Sequence, residues 1–159
     1  ILSIRAVMLS WFGEVRNQRV KMWHRAKRAA ILIAVLSVPG FFVGGWMGME
    51  ALAIVFPDYY EQSVIVFSWL LFAWVLSLLA SVPLALVQVS ERPLRYAALL
   101  WSGIFADLVA CWILIPDSVF PAESAAIAAI IGAAVVLVTA SAEAWRLYST
   151  PTSSNEVEP

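Results

Sequence analysis

One cysteine and one histidine are all this chain brings to thiol and imidazole chemistry. Cys111 alone can form no internal disulfide and no cysteine-based metal cluster. His24 lies among bases, with no second histidine and no neighbouring carboxylate in the sequence, so no metal is expected. No serine or cysteine has a candidate base in the same stretch, which leaves a nucleophilic dyad without support. Charge is scarce as well: Asp, Glu, Lys and Arg make up 13% of the residues, against roughly a quarter in soluble domains. With 62% hydrophobic positions in the same chain, an ordinary soluble fold is excluded. No enzyme activity and no cofactor are expected.

What is present is oil, and its distribution is orderly. Four long apolar runs, at about 30–50, 64–87, 97–115 and 122–143, each have the length needed to cross a bilayer as a helix. The ten Lys and Arg residues all fall on one side of that plan. Arg5, Arg16, Arg19, Lys21, Arg25, Lys27 and Arg28 precede the first run; Arg92 and Arg95 separate the second from the third; Arg146 follows the fourth. The loops at 57–62 and 116–121 hold Asp58, Glu61 and Asp117 and no base. Hydropathy and charge thus agree on an all-α, polytopic transmembrane helical bundle with four spans and both ends inside, of bacterial inner-membrane type. Three segments are expected: 1–28 a basic amphipathic helix, 29–148 the transmembrane domain, and 149–159 a disordered polar tail.

In the first segment Ile1, Ile4, Met8, Trp11, Val15 and Met22 recur at helical spacing, with Arg16, Arg19, Lys21 and Arg25 largely off that stripe. Such a helix can contact lipid headgroups through Arg16, Arg19, Lys21, Arg25, Lys27 and Arg28, or it can pack on a neighbouring subunit. The positive-inside rule supplies the bases either way, so both readings stay open. The basic cluster abuts a span and has no flanking recognition fold, so nucleic acid is not an expected partner. The chain opens on Ile1, and its true start is expected upstream. Ala51-Leu52-Ala53 has the look of a cleavage site, but the preceding run is too long for a signal peptide and carries Trp46.

Small residues recur within the spans. Gly40, Gly44 and Gly48, placed four apart just after Pro39, share one helix face and form a bare, glycine-zipper-like groove. Ala73, Ser77, Ser81 and Ala85 repeat the pattern in the second span, and Ala125, Ala129 and Ala133 in the fourth, with Ala128 and Gly132 beside them. Close packing drives helix association in lipid. Two of these stripes are expected to pair within the chain, and the glycine stripe to face a partner. Pro39 is expected to bend its helix locally. Pro83 frees the carbonyl of Leu79, which Ser81 or water is expected to satisfy. The short connections at 57–62 and 116–121 predict that spans one and two, and spans three and four, are antiparallel neighbours.

Asp107 stands near the middle of the third span, one turn after Gly103 and one turn before Cys111. A carboxylate there costs several kcal/mol unless it is paired, hydrated or protonated. It is a buried polar or ion-coupling candidate: a proton- or cation-carrying group, a polar anchor for a partner's basic or hydroxyl side chain, or a protonated acid bonded to Ser77 or Ser81 of the second span or to a carbonyl freed by a proline. Glu50, Glu123 and Glu143 sit near span ends and read as interface residues. Trp46, Trp112 and Tyr59-Tyr60 fit an outer aromatic belt, and Trp23, Tyr96, Trp145 and Tyr148 an inner one. Trp69 and Trp74 lie deeper and read as fillers of helix junctions or as lipid-facing residues. The function expected from all this is a non-enzymatic subunit or scaffold of a larger inner-membrane or envelope assembly, with the bilayer and other subunits, or itself, as partners. The alternatives are a small oligomeric channel or proton-coupled carrier using Asp107, and a phage- or defence-type membrane-permeabilising protein.

Overall fold

The computed structural model of the chain describes residues 19–90, 92–116 and 118–149. Arg16, the Ile1–Val15 part of the expected amphipathic stripe, Asp117 and the tail at 150–159 lie outside the described residues, as does the side chain of Arg19. Within them the chain is helical throughout: α1 Arg19–Val55, a single 3-10 turn Pro57–Tyr59, α2 Tyr60–Val89, α3 Pro93–Leu114 and α4 Pro121–Ser149. All four helices are long and apolar enough to cross a membrane. The protein is a membrane protein built as a helical bundle.

The helices outrun the apolar spans. At 1.5 Å per residue the 37 residues of α1 extend about 55 Å, well past a hydrocarbon core of about 30 Å. Its described basic turns, from Lys21 to Arg28, therefore continue the same helix as the first apolar run. Breaks come where proline allows a new start: Pro57, Pro93 and Pro121 each open an element, where a missing N–H is harmless and the fixed φ is already helical. Pro39 and Pro83 lie inside α1 and α2, both of which continue through them.

Packing departs from chain order. α1 lies along α2, and α4 packs along both α2 and α3. α2 and α3, although joined directly at 90–92, touch only sparingly. The two pairs expected from their short loops, α1–α2 and α3–α4, are in contact, while α2 and α3 are bridged mainly by α4. The reason lies in the small residues of α4. Ala144 enters a core with Met22, Ala26 and Ala29 of α1 and Val82, Ala85 and Leu86 of α2. One turn earlier, Ala140 meets Ala80 and Leu84 of α2, with Leu99 and Leu100 of α3 against the same cluster. A helix this slim fits between two others, and the order across the bundle becomes α1–α2–α4–α3.

Burial follows that order. The second half of α2 is the most enclosed part of the molecule, with Ser81, Val82 and Leu84 to Val87 all buried. The flanking helices turn most of their bulk outward: Val35, Phe42 and Trp46 on α1, and Phe105, Leu108 and Trp112 on α3. Apolar exposure on this scale would aggregate a soluble domain but is the ordinary boundary of a protein in lipid.

One end of the bundle is tied by aromatic rings and charges. Trp23 meets Trp145 edge-on at 5.8 Å between centroids and stacks near Tyr148 at 6.4 Å. The Tyr148 hydroxyl donates to the Leu86 carbonyl at 3.3 Å, and Arg95 pairs with Glu143. These contacts gather the start of α1, the α2–α3 junction and the end of α4, and with them the described bases, at a common end. At the other end the indole N–H of Trp69 donates to Glu123 at 3.3 Å, joining α2 to the first turn of α4.

Candidate functional site

Because α4 holds α2 and α3 apart, an open cleft of about 360 Å³ remains between them. Ser77, Ala80 and Leu84 form one wall, Leu100, Gly103, Ile104 and Asp107 the other, and Ala129, Gly132, Ala133 and Val136 the floor. Asp107 is half-buried on this wall. It lies seven residues before the end of α3, about 10 Å along the axis, which is deeper than a headgroup contact requires.

Close backbone packing sets the floor. A Cβ built on Gly132 would stand 2.9 Å from the Cβ of Asp107 and 3.0 Å from the Gly103 carbonyl oxygen. A Cβ on Gly103 would collide with the Val136 side chain and stand 3.1 Å from the Gly132 carbonyl. Each glycine therefore faces the other's backbone, and α3 and α4 approach more closely than side chains would permit. The contact lies directly beside Asp107, so it holds that carboxylate against the floor of the cleft.

Asp107 accepts a long contact from the Cys111 thiol of its own helix, Sγ to Oδ1 3.9 Å. Among the described residues it has no ion-pair partner. The bonds expected from α2 are not made. Ser77 donates to the Ala73 carbonyl at 2.9 Å, and Ser81 to that of Leu78. Ser81 therefore satisfies neither Asp107 nor the Leu79 carbonyl freed by Pro83. The pattern is general: Ser37, Ser68, Ser102 and Thr139 also donate to carbonyls of their own helices. A hydroxyl in an apolar span reaches the carbonyl three or four residues back without crossing to another helix. Arg95–Glu143 and Tyr148–Leu86 lie toward one end of the bundle and Trp69 reaches Glu123 in the first turn of α4, while Asp107 keeps only its contact with its own thiol among these.

Two glycines of the α1 stripe pack against α2. Gly44 lies against Leu71 of α2 in ordinary contact, and Gly48 lies beneath the Phe67 ring. Both are covered from within the chain; only the position of Gly40 opens on empty space. In α2, Ala73, Ser81 and Ala85 are buried, while Ser77 lines the cleft. Lys21, Lys27 and Arg28 are exposed at the aromatic end, with the Lys27 ammonium 5.4 Å from the centre of the Trp23 ring. Arg25 is half-buried and engaged. Among the described residues no group of His, Cys, Asp and Glu could hold a metal ion.

Sequence reasoning placed Gly103 and Cys111 beside Asp107 but did not set Gly132 of the fourth span against them. Gly103 and Gly132 are lone glycines in different spans, without the four-residue repeat that drew notice to α1. No protein-family model matches this chain, and neither the curated proteins nor the solved structures yield a significant match.

Proposed function

We propose that this protein is a non-enzymatic integral subunit of a larger assembly in a bacterial inner membrane, with both termini cytoplasmic. The observation that carries the reading is Asp107: a carboxylate at membrane depth, on the wall of an open cleft, without an ion-pair partner among the described residues. Charges inside membranes are paired, hydrated or used. A cleft left open beside such a group supports a site completed from outside the chain. The orientation rests on the bases gathered at one bundle end, which the positive-inside rule assigns to the cytoplasm. Lys21, Arg25, Lys27 and Arg28 then lie at headgroup level, where each base near an anionic surface contributes about 1 kcal/mol of attraction.

Purification of the native protein in mild detergent tests the reading. Different chains should co-purify with it in defined ratio, and a monodisperse monomer with none would overturn it. Reconstitution separates the main competitor: a proton- or ion-coupled carrier shows flux in liposomes that Asp107→Asn abolishes, whereas a subunit shows none to lose. Orientation is checked by cysteine labelling at Arg92 and Tyr59, which should react from opposite faces.

A further inference from the structure

We infer that the cleft receives one lysine or arginine side chain, presented at membrane depth by a transmembrane helix of a different chain. The inference rests on the subunit reading above and names what completes it. Four observations converge. Asp107 is a carboxyl group at membrane depth whose contact within the described residues is one weak thiol, and acids at that depth pair with basic side chains or line functional paths. Ser77, the hydroxyl in the opposite wall, already donates to Ala73, so it is no substitute among the described residues. The cleft holds about 360 Å³. That is room for a long basic side chain reaching in from a helix that lies alongside. Leu84, Leu100, Ile104 and Val136 give the methylene stem an apolar wall, with the charged head at Asp107.

A second copy of this chain does not fit. All ten of its bases flank the apolar runs and none lies within one, so a homo-oligomer brings its cations to the bundle ends and not to Asp107. The partner is therefore a different polypeptide with a basic residue inside an otherwise apolar span.

The full-length protein is reconstituted in phosphatidylethanolamine–phosphatidylglycerol vesicles with a Leu/Ala transmembrane peptide of about 20 residues. The peptide carries one central Lys, or Leu at the same position as control. Association is read by energy transfer and by oxidative cross-linking of Cys111 to a cysteine one turn from the test position. The Lys peptide is expected to associate about tenfold more tightly than the control, the scale of one strong polar contact in lipid. Asp107→Asn should erase that difference and Asp107→Glu should keep most of it. Ala133→Leu, which fills the cleft and leaves the carboxylate in place, should reduce it independently.

Equal association of the two peptides overturns the inference, as does a preference that survives Asp107→Asn. Equal association together with Asp107-dependent uptake of tetraphenylphosphonium would reassign the cleft to a small organic cation. Self-association lost on Asp107→Asn would reassign it to a second copy. Native co-purifying chains indifferent to Asp107→Asn sink this inference and leave the subunit reading standing; their complete absence sinks that reading itself.

Discussion

In α1, Gly44 and Gly48 lie under the side chains of Leu71 and Phe67, whereas Gly103 of α3 and Gly132 of α4 lie under each other's carbonyl oxygens. The first arrangement is a repeated stripe that accommodates bulk from α2. The second is two unrepeated glycines that let backbones meet. A stripe of small residues marks a smooth surface, and a smooth surface serves equally well as a socket for large side chains. Close backbone approach needs something narrower: a missing Cβ on both helices at one height. The difference also fixes how tolerant each contact is, because a ring can tilt and a carbonyl oxygen in a helix cannot.

The sharpest test of that contrast is Gly132→Ala, for which the largest effect is expected. Its methyl group would press on the Asp107 Cβ at 2.9 Å and the Gly103 carbonyl at 3.0 Å, so α3 and α4 must separate. Overpacking of this kind costs about 1–3 kcal/mol, measurable by reversible unfolding in mixed micelles. Gly103→Ala should rank just below, because its first collision is with the Val136 side chain, although a β-branched residue has little rotamer freedom in a helix. If both substitutions leave the unfolding midpoint unchanged, the helices are not held at backbone contact.

Gly48→Ala comes next. Its methyl group meets the far edge of the Phe67 ring, which can move aside, so a loss at the lower end of that range, about 1 kcal/mol, is expected. In a Phe67→Leu background the penalty should disappear. A full penalty that persists there would place the resistance in the backbone, and the two glycine sites would then be alike.

These tests also mark where sequence reasoning stopped. Hydropathy located four helices because crossing a bilayer demands a long apolar run, a requirement each span meets by itself. Their ends were placed short, at about 64 for α2 and 97 for α3, because hydropathy reports oil and helical hydrogen bonding continues beyond it to Tyr60 and Pro93. Asp107 stood out because one residue type at one depth is enough to raise the question. The short loops made the α1–α2 and α3–α4 pairings legible, but not the packing of α4 against α2. That depends on α4 being slim enough at Gly132, Ala140 and Ala144 to enter between α2 and α3, a property of three surfaces together. The cleft follows from that order and was equally hidden.

The smallest effect is expected at Gly40, and it bears on the assembly more than on the fold. No atom lies within 4 Å of a Cβ built there, so Gly40→Ala should leave the isolated protein unharmed. It could gain up to roughly 0.5–1 kcal/mol, since glycine inside a helix is disfavoured by that amount relative to alanine. Gly40→Leu should likewise leave the unfolding midpoint of the isolated chain within about 0.5 kcal/mol, as substitutions at open surface positions do. The same leucine read in the native assembly separates two surroundings that the isolated chain cannot distinguish. Against lipid, Gly40→Leu changes nothing in the set of co-purifying chains. Against a partner helix packed closely on this one uncovered glycine, it expels that partner while Gly44→Leu and Gly48→Leu, which press inward on Leu71 and Phe67, unfold the subunit first.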